Sequence, residues 1–300
     1  MNPQTAIKRT AKPDWLKIKI PSGKNVFRIK RELQERGLHT ICQDARCPNM
    51  HKCWANNNAT FLILGDYCTR NCFFCSVKHG KPVVPDTKEA EKIAQMVKIM
   101  DLKYLVITSV TRDDLPDKGS LHYAKIIKHL KDKFSELKIE VLIPDFSGDK
   151  NLIDNVLREH PDVLNHNLET VKRLYPFVNR KPENYPVSLS VLKHSASRNF
   201  ITKSGIMVGL GETIEELEEL FADLKENGVK ILTIGQYLQP SSSNAKVEKY
   251  YTPDEFKQLY KTAKSMGFIG VESGPFIRSS YNAGELYKKA LETEPARISK

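Results

Sequence analysis

Residues 59–75 combine a strand-like run with three closely spaced cysteines: Ala59-Thr-Phe-Leu-Ile-Leu-Gly65-Asp-Tyr-Cys68-Thr-Arg-Asn-Cys72-Phe-Phe-Cys75. Its first six residues are apolar or β-branched and end at a glycine, which predicts a short buried strand. A loop with C-x3-C-x2-C spacing follows at once. In an α/β barrel the chemistry gathers in the loops that follow the strands. The stretch therefore predicts a barrel strand that carries a cysteine site.

The same strand pattern recurs along the chain and alternates with helical patterns. Further strands are predicted over 104–110, 140–144, 163–168, 203–208 and 231–238, and amphipathic helices over 88–100, 121–134 and 215–226. Helix starts are indicated by three predicted capping boxes, Asp86 with Glu89, Thr213 with Glu216 and Thr252 with Glu255, and by Pro253, while Gly228 and Gly267 mark helix ends. Six strand-and-helix units with right-handed crossovers predict an α/β fold, a partial (β/α)6 barrel of TIM type.

Residues outside this repeat predict extensions at both ends. We expect an N-terminal extension over 1–58, the barrel over 59–272 and a C-terminal extension over 273–300. The chain has 300 residues, 40% of them hydrophobic, which excludes disorder as its main state. It contains no apolar run of membrane-spanning length and its first residues lack the apolar core of a secretory signal, so we expect a cytoplasmic protein without a membrane partner.

The net charge of +11 is concentrated near the start of the chain. Residues 1–40 hold ten basic and three acidic side chains, a net +7. The pI of about 9.2 raises the possibility of nucleic-acid binding. However, 34 lysines against 13 arginines, without interleaved aromatic residues, argue against it. Docking of an acidic protein and an ordinary solvated surface both remain open.

All six cysteines lie between Cys42 and Cys75. Besides the triad in the loop, a second triad has C-x4-C-x5-C spacing: Cys42, Cys47 and Cys53. Clustered thiols in a long chain with no sign of secretion indicate metal binding rather than disulfides. Three thiolates within eight residues can hold three corners of an iron-sulfur cube and leave one iron open. Zinc sites completed by His79 or His51 are the alternative.

These residues carry a resemblance to the lipoyl synthase family of the radical S-adenosylmethionine (SAM) superfamily. The matching blocks are CPNMHKCW (47–54), ATFLILGDYCTRNCFFC (59–75), TSVTRDDL (108–115), NHNLET (165–170), KSGIMVGLGE (203–212), IGQYLQPS (234–241) and SGPFIRSSY (273–281). Residues 241–247, Ser-Ser-Ser-Asn-Ala-Lys-Val, depart from the family pattern, which has a basic or His-containing stretch followed by Pro-Val.

The resemblance implies two [4Fe-4S] clusters. Cys68, Cys72 and Cys75 would hold the first, whose open iron binds SAM for reductive cleavage to a 5'-deoxyadenosyl radical, with Phe74 beside the adenine. Cys42, Cys47 and Cys53 would hold an auxiliary cluster, completed by a serine of Arg278-Ser279-Ser280-Tyr281, of which we favour Ser280. A hydroxyl oxygen is a harder ligand for iron than a thiolate, which suits a cluster consumed as a sulfur source.

The SAM contacts are predicted less directly. Asn167 and Glu169 lie two apart at a strand end and therefore point to the same side, although either can instead bond local backbone. The resemblance adds Ser109, and Gly209 predicts a close approach of backbone to SAM. The charged run Arg112-Asp113-Asp114 lies in a βα loop, where contact with SAM or substrate is one interpretation and a solvated cluster is the favoured one. His166 is predicted to be a hydrogen-bonded structural histidine.

The implied reaction inserts sulfur at carbons 6 and 8 of an octanoyl chain on a protein lysine. Acid-base and nucleophilic residues cannot open an unactivated C-H bond, so a radical cofactor is required. The implied partners are octanoylated lipoyl domains of 2-oxoacid dehydrogenase complexes, the glycine cleavage H protein, and an electron donor such as flavodoxin or ferredoxin. The alternatives are a biotin synthase-like sulfur inserter and a zinc-dependent nucleic-acid-binding protein.

Overall fold

The computed structural model describes residues 12–17, 24–56 and 58–293. The predicted basic arm and the two terminal extensions therefore lie partly outside the described residues. In chain order, the strands of the described part are β1 (His39–Thr40), β2 (Thr60–Ile63), β3 (Tyr67–Cys68), β4 (Lys78–His79), β5 (Tyr104–Ser109), β6 (Lys138–Leu142), β7 (Val163–Asn165), β8 (Ile201–Val208), β9 (Ile231–Gln236) and β10 (Gly270–Gly274).

The helices connect these strands and cover the outside of the sheet. In chain order they are α1 (Lys24–Arg36), α2 (Ile41–Asp44), α3 (Met50–Ala55), α4 (Glu89–Ile99), α5 (Ser120–Lys133), α6 (Lys150–Leu157), α7 (Asn184–Ser197), α8 (Ile214–Glu226), α9 (Pro253–Ser265) and α10 (Ala283–Thr293). Short 3-10 turns lie at Asp14–Leu16, Phe146–Gly148, Lys172–Leu174 and Pro176–Val178. No helix in these described ranges has the length and apolar character to span a bilayer.

One sheet of eight strands forms the barrel wall. Its spatial order is β1-β2-β5-β6-β7-β8-β9-β10, and every neighbouring pair is parallel except the short edge pair β1 and β2. The sheet is open between β1 and β10. This confirms the predicted partial barrel: all six predicted strands are present as β2 and β5 to β9, with ends that differ by a few residues. Their carboxyl ends meet at one end of the barrel.

The tenth strand was not predicted. Its sequence, Gly270-Val-Glu-Ser-Gly274, has one apolar side chain and two glycines, so it lacks the composition of a strand. Nevertheless it pairs in parallel with β9, from Gly270 opposite Ile231. A Cβ on Gly270 would lie 3.2 Å from the Ile231 side chain and 3.3 Å from that of Leu286, which explains the small residue. The predicted domain boundary after residue 272 falls inside this strand.

The predicted helix boundaries are mostly confirmed. Thr213 and Thr252 each cap their helix in a reciprocal capping box, with Pro253 in the first turn of α9. Gly228 and Gly267 follow α8 and α9 with φ of 80° and 85°. The third predicted box, Asp86 with Glu89, is wrong, because α4 starts at Glu89 itself. The Glu89 carboxylate instead accepts from the Leu64 amide at 3.2 Å and contacts His122 Nε2 at 2.6 Å.

A buried charged network and a helix close the barrel at the amino ends of its strands. Lys203 Nζ on β8 lies 2.8 Å from Glu140 Oε1 on β6, and Asn165 and Tyr104 donate to the same carboxylate. The charges are satisfied within the group, as a buried ion pair requires. Helix α10 packs Leu286 against the first residues of β7, β8 and β9, so the open cavity lies at the opposite end.

Candidate active site

A cavity of about 570 Å³ opens at the carboxyl ends of the strands. Most of the predicted site residues line it: Cys42, Cys47, Cys68, Cys72, Phe74, Cys75, Ser109, Asn167, Glu169, Ser279 and Ser280. Cys53 and Gly209 are not among its lining residues. The two cysteine motifs, which lie in different parts of the fold, therefore share one cavity.

The cysteine loop leaves β2 through a left-handed turn. Leu64 and Gly65 have φ of 69° and 96°, a conformation that is unusual for leucine. Backbone amides then point at the sulfurs: the Cys68 Sγ accepts from Arg70 at 3.4 Å and from Thr111 at 3.3 Å, and the Cys75 Sγ accepts from Val77 at 3.4 Å. Donors directed at sulfur stabilise thiolates and tune an iron-sulfur cluster, so this arrangement fits cluster binding.

The loop after β5, which contains residues 111–113, makes hydrogen bonds to the cysteine loop. Thr69 donates from its backbone to the Thr111 carbonyl at 3.0 Å. Arg112 donates to the Leu64 carbonyl at 3.1 Å, and the Asp113 carboxylate accepts from Arg70. The prediction of a solvated charge cluster is wrong for Arg112, which is 2% exposed and bonds the Leu64 carbonyl and the Asp114 carboxylate, whereas Asp113 and Asp114 are exposed.

Arg70 is the main electrostatic anchor of the loop. Its guanidinium makes paired hydrogen bonds to Asp113 and, at 2.6 and 2.8 Å, to Asp145. Burial alone raises the pKa of the Asp145 carboxyl, but the hydrogen bonds from Arg70 outweigh burial and hold that pKa well below its usual range. Paired Arg-carboxylate geometry fixes orientation as well as distance. Sequence reasoning missed this role of Arg70 and Asp145, because Arg70 occupies an unspecified position between two cysteines of the motif and Asp145 belongs to no motif.

Polar atoms without partners face the cavity from β5 and from the end of β7. Within the described residues, Ser109 Oγ and Asn167 Oδ1 are buried and accept or donate no hydrogen bond. Unpaired buried polar groups are costly, so these atoms are suited to a polar ligand. Glu169 lies beside them with φ of 70°. Burial raises the pKa of its carboxyl above the usual value, although the charge of nearby Arg180 acts in the opposite direction. The group fits the hydroxyl, amine and carboxylate functions of SAM.

Two glycines near these residues have different roles. A Cβ on Gly205 would lie 2.8 Å from Asn167 Oδ1, so β8 needs a glycine there to admit the Asn167 side chain. Gly209 was predicted to approach SAM. Instead its backbone approaches Gln236 and Lys249, with a Cβ position 2.2 Å from Gln236 Nε2, and the Gly209 amide donates to Glu212. The structure therefore does not bring Gly209 into the cavity.

The second cysteine motif is built on two short helices. Cys42 lies on α2, Cys53 lies on α3, and Cys47 lies between them. Burial raises the pKa of the Cys42 thiol to about 12 and that of Cys53 to about 11, and the neighbouring Cys47 adds to both shifts. All six cysteines of the chain, each in its described part, are free thiols. Thiolates at these positions would therefore need a cation, which fits a metal cluster.

The C-terminal segment is held against this motif. Asn49 donates to the Phe276 carbonyl at 2.5 Å and Lys52 donates to the Tyr281 hydroxyl at 3.1 Å. On the other side, a Cβ on Gly235 would lie 2.1 Å from the Ile277 carbonyl, so a glycine in β9 allows this segment to approach. These contacts place Ser279 and Ser280 on the wall that carries Cys42 and Cys47.

His79 and His51, the fourth ligands of the alternative zinc sites, lie in different surroundings. His79 is exposed on β4, and His51 lines a second hollow together with Cys42 and Cys47. In the described ranges, no three His, Cys, Asp or Glu side chains converge as the ligands of a single ion do. His166 is confirmed as a hydrogen-bonded histidine: it is buried, with Nδ1 at 2.8 Å from the Ile143 carbonyl and Nε2 at 3.0 Å from Ser188 Oγ.

Comparison with solved structures supports the fold. The [FeFe]-hydrogenase maturase HydG from Carboxydothermus hydrogenoformans superposes with a TM-score of 0.56 at 14% identity, over 88% of this chain and 78% of the other. SuiB from Streptococcus suis, solved with SAM bound, gives a TM-score of 0.54 at 14% identity, over 74% of this chain and 51% of the other. At these identities the likeness concerns the fold alone.

Sequence comparisons identify the family as well as the fold. A family model for the radical SAM superfamily matches residues 62–224, and one for the N-terminal domain of lipoyl synthase matches residues 3–47. Lipoyl synthase from Caldicellulosiruptor saccharolyticus is 50% identical over 93% of this chain and 99% of its own length. Its counterpart from Staphylococcus haemolyticus is 49% identical over 94% and 92%. Family models, relatives and cavity agree that the chain is an enzyme and belongs to the lipoyl synthase family of the radical SAM superfamily.

Proposed function

We propose that this enzyme inserts sulfur at carbons 6 and 8 of an octanoyl chain attached to a protein lysine, with two [4Fe-4S] clusters of which one is the sulfur donor. The observation that carries the proposal is that the first cysteine motif, two cysteines of the second motif (Cys42 and Cys47) and the Ser279-Ser280 pair line one cavity. A site that generates a carbon radical and a site that gives up sulfur must face the same substrate atom. Family membership sets aside the zinc-dependent nucleic-acid-binding alternative and disfavours the biotin synthase-like one.

In this proposal Cys68, Cys72 and Cys75 hold the first cluster, and Cys42, Cys47 and Cys53 hold the second together with Ser280. When bound, the clusters and SAM supply an electron, hydrogen-atom abstraction and sulfur. The protein orients these groups. Ser109, Asn167 and Glu169 hold the polar ends of SAM, and Phe74 lies against its adenine.

The remaining lining of the cavity suits an alkyl chain. Besides the cysteines and the polar residues, the lining includes the apolar residues Val110, Leu142, Ile143, Met207 and Phe276. An octanoyl chain has no polar group along its carbons, so apolar contacts must place carbons 6 and 8. The same contacts exclude water, which protects a reactive carbon from side reactions.

The partners follow from the substrate. We propose octanoylated lipoyl domains of 2-oxoacid dehydrogenase complexes and the glycine cleavage H protein as substrates, and a small redox protein such as flavodoxin or ferredoxin as the electron donor, in the cytoplasm. Nucleic acid and membranes are not expected partners. The basic start of the chain is suited to docking an acidic domain.

Anaerobic reconstitution followed by metal analysis and a single-turnover assay tests the proposal. We expect about eight irons and about eight sulfides per chain, the content of two cubes. Mass spectrometry of an octanoyl-lysyl domain should then show the dithiolated chain. Stoichiometric zinc, or iron for one cube only together with normal dithiolation, would contradict the two-cluster scheme.

A further inference from the structure

Three side chains close a ring of hydrogen bonds between segments that contribute to the lining of the cavity. Ser76, which follows the last cysteine of the loop, donates its hydroxyl to the Asp44 carbonyl between Cys42 and Cys47. Arg46, two residues after Asp44, donates from Nη1 to the Pro240 carbonyl at 3.4 Å. Asn244 donates from Nδ2 to the Cys75 carbonyl at 2.9 Å. Each bond runs from a side chain of one segment to the main chain of the next.

The third segment, residues 239–245, follows β9 and is itself well fixed; we name it the strap. Tyr237 donates its hydroxyl to the Ala245 carbonyl at 2.7 Å, and Gln239 donates to the Asn244 carbonyl at 2.9 Å. The Ser241 hydroxyl donates to Asn244 Oδ1 at 2.6 Å, which leaves the amide nitrogen of Asn244 directed at Cys75. Finally, the Ala245 amide donates to the Phe73 carbonyl at 2.8 Å. The strap therefore has a defined position relative to the cysteine loop.

The ring joins the two cysteine motifs both directly and through the strap. The direct connection is Ser76 to Asp44, and the indirect one runs from Cys75 through Asn244 and Pro240 to Arg46. Two connections between the same segments resist both separation and rotation, whereas a single bond resists separation alone. Both segments line the cavity, so the ring sets the distance across it.

We infer that Ser76 and Asn244, assisted by Arg46, are positioning residues that fix the separation between the radical site and the sulfur-donor site. The inference rests on the proposed function. A substrate carbon that loses a hydrogen atom must already lie next to the sulfur, and a misplacement of about 1 Å can cost about 100-fold in rate. Neither residue needs to touch SAM, substrate or either cluster.

The test compares Ser76→Ala and Asn244→Ala with the unchanged holoenzyme. Ser76→Thr, which keeps the hydroxyl, serves as the conservative rescue, and Ser242→Ala, at an exposed serine of the strap that takes no part in the ring, is the matched control. The first readout is the ratio of 5'-deoxyadenosine to dithiolated product. The second is hydrogen-deuterium exchange of the segments 42–47 and 72–77 in the holoenzyme, which does not depend on turnover.

We expect both alanine variants to keep cleaving SAM while the ratio rises by about three- to tenfold, because radicals form without sulfur within reach. Exchange should accelerate in both segments, and Ser76→Thr and Ser242→Ala should match the unchanged enzyme. General loss of stability would lower both products together and leave their ratio constant. An unchanged ratio in both alanine variants would overturn the inference, whereas absence of dithiolated product from the unchanged enzyme would overturn the proposed function instead.

Discussion

Arg112 donates a hydrogen bond of 3.1 Å to the carbonyl of Leu64, the residue at which β2 turns into the cysteine loop. The amide of the same leucine donates to Glu89 at 3.2 Å, so both polar groups of Leu64 are held by buried side chains. Leu64 has a left-handed backbone that leucine adopts only when its surroundings enforce it. The hydrogen bonds that Leu64 makes with Arg112 and Glu89 thus stabilise the turn that brings Cys68 to the cavity.

Replacing Arg112 with methionine should therefore destabilise the fold. The variant leaves the Leu64 carbonyl buried without a partner, which costs about 1–3 kcal/mol in the free energy of unfolding. Urea denaturation followed by circular dichroism measures the change. Arg198→Met is the matched control: Arg198 is exposed and bonds Asp154 at the surface, so we expect about 0.5 kcal/mol or less. Equal losses in the two variants would argue against a special role for Arg112.

The case of Arg112 shows where sequence reasoning ends. Periodicity and capping predicted the parallel strands and the starts of α8 and α9, because those signals act within a few residues of one another. The Leu64 carbonyl that Arg112 bonds is 48 residues away, and the partners of Arg70 are 43 and 75 residues away. A charged triplet has no local sign of such partners, so it was interpreted as solvated. Likewise Glu89 has the spacing of a capping box but bonds Leu64, and β10 pairs through backbone that its composition does not reveal.

The two cysteine motifs should fail differently when mutated. Changing Cys72 to alanine removes a ligand of the cluster that cleaves SAM, whereas changing Cys47 to alanine damages the sulfur donor. Loss of a residue that merely orients a ligand already costs about 10- to 100-fold, so loss of the Cys72 ligand should lower 5'-deoxyadenosine formation by more than that. Cys47→Ala should still cleave SAM but form no lipoyl product. Chromatography of both products checks this, and equal loss of 5'-deoxyadenosine in the two variants would refute the division.

His166 predicts a loss of stability in mild acid. Burial lowers the pKa of this imidazole from 6.5 to about 4, so the unfolded chain binds the proton first as the pH falls. The stabilisation that comes from keeping this histidine neutral and buried is therefore fully present above about pH 6.5. It is lost as the pH falls toward 4. Between pH 7 and pH 5 the loss is about 2 kcal/mol.

In His166→Gln this part of the pH dependence should disappear. Urea unfolding at pH 7 and pH 5 measures the free energy of unfolding of both proteins. The difference between the unchanged protein and the variant should be smaller at pH 5 than at pH 7. His160→Asn is a suitable control, because His160 is exposed and its φ of 50° tolerates asparagine. Parallel stability curves for His166→Gln and the unchanged protein would contradict the assignment.

The net +7 of residues 1–40 predicts salt-sensitive docking of an acidic lipoyl domain. Screening shortens the reach of exposed charges to about 8 Å near physiological ionic strength. The apparent affinity for an octanoylated domain should therefore fall as salt is added, and more steeply than for a short octanoyl-lysine peptide. Steady-state titrations at several salt concentrations measure both. The same salt profile for domain and peptide would mean that these charges form an ordinary solvated surface.

Ser280 is the predicted site residue on which the sulfur-donor scheme depends most. It lines the cavity beside Ser279, and the bond from Lys52 to Tyr281 holds their segment against α3, which carries Cys53. Ser280→Ala leaves three thiolates for the auxiliary cluster and opens one iron. Ser280→Cys provides a softer ligand that binds iron more tightly, which should make that iron harder to release. The alanine variant therefore holds that iron too weakly and the cysteine variant holds it too tightly, and both changes disturb the release of sulfur.

We expect both Ser280 variants to cleave SAM normally through Cys68, Cys72 and Cys75, and to be slower by about tenfold or more at sulfur transfer. Ser279→Ala, one residue away on the same wall, is the matched control and should form dithiolated product at the normal rate. Mass spectrometry of the octanoyl-lysyl substrate after a single turnover separates unmodified, monothiolated and dithiolated chains. Accumulation of the monothiolated chain in the Ser280 variants would locate the defect at the second sulfur. Normal dithiolation by both Ser280 variants, with a defect in Ser279→Ala, would move the ligand assignment to Ser279.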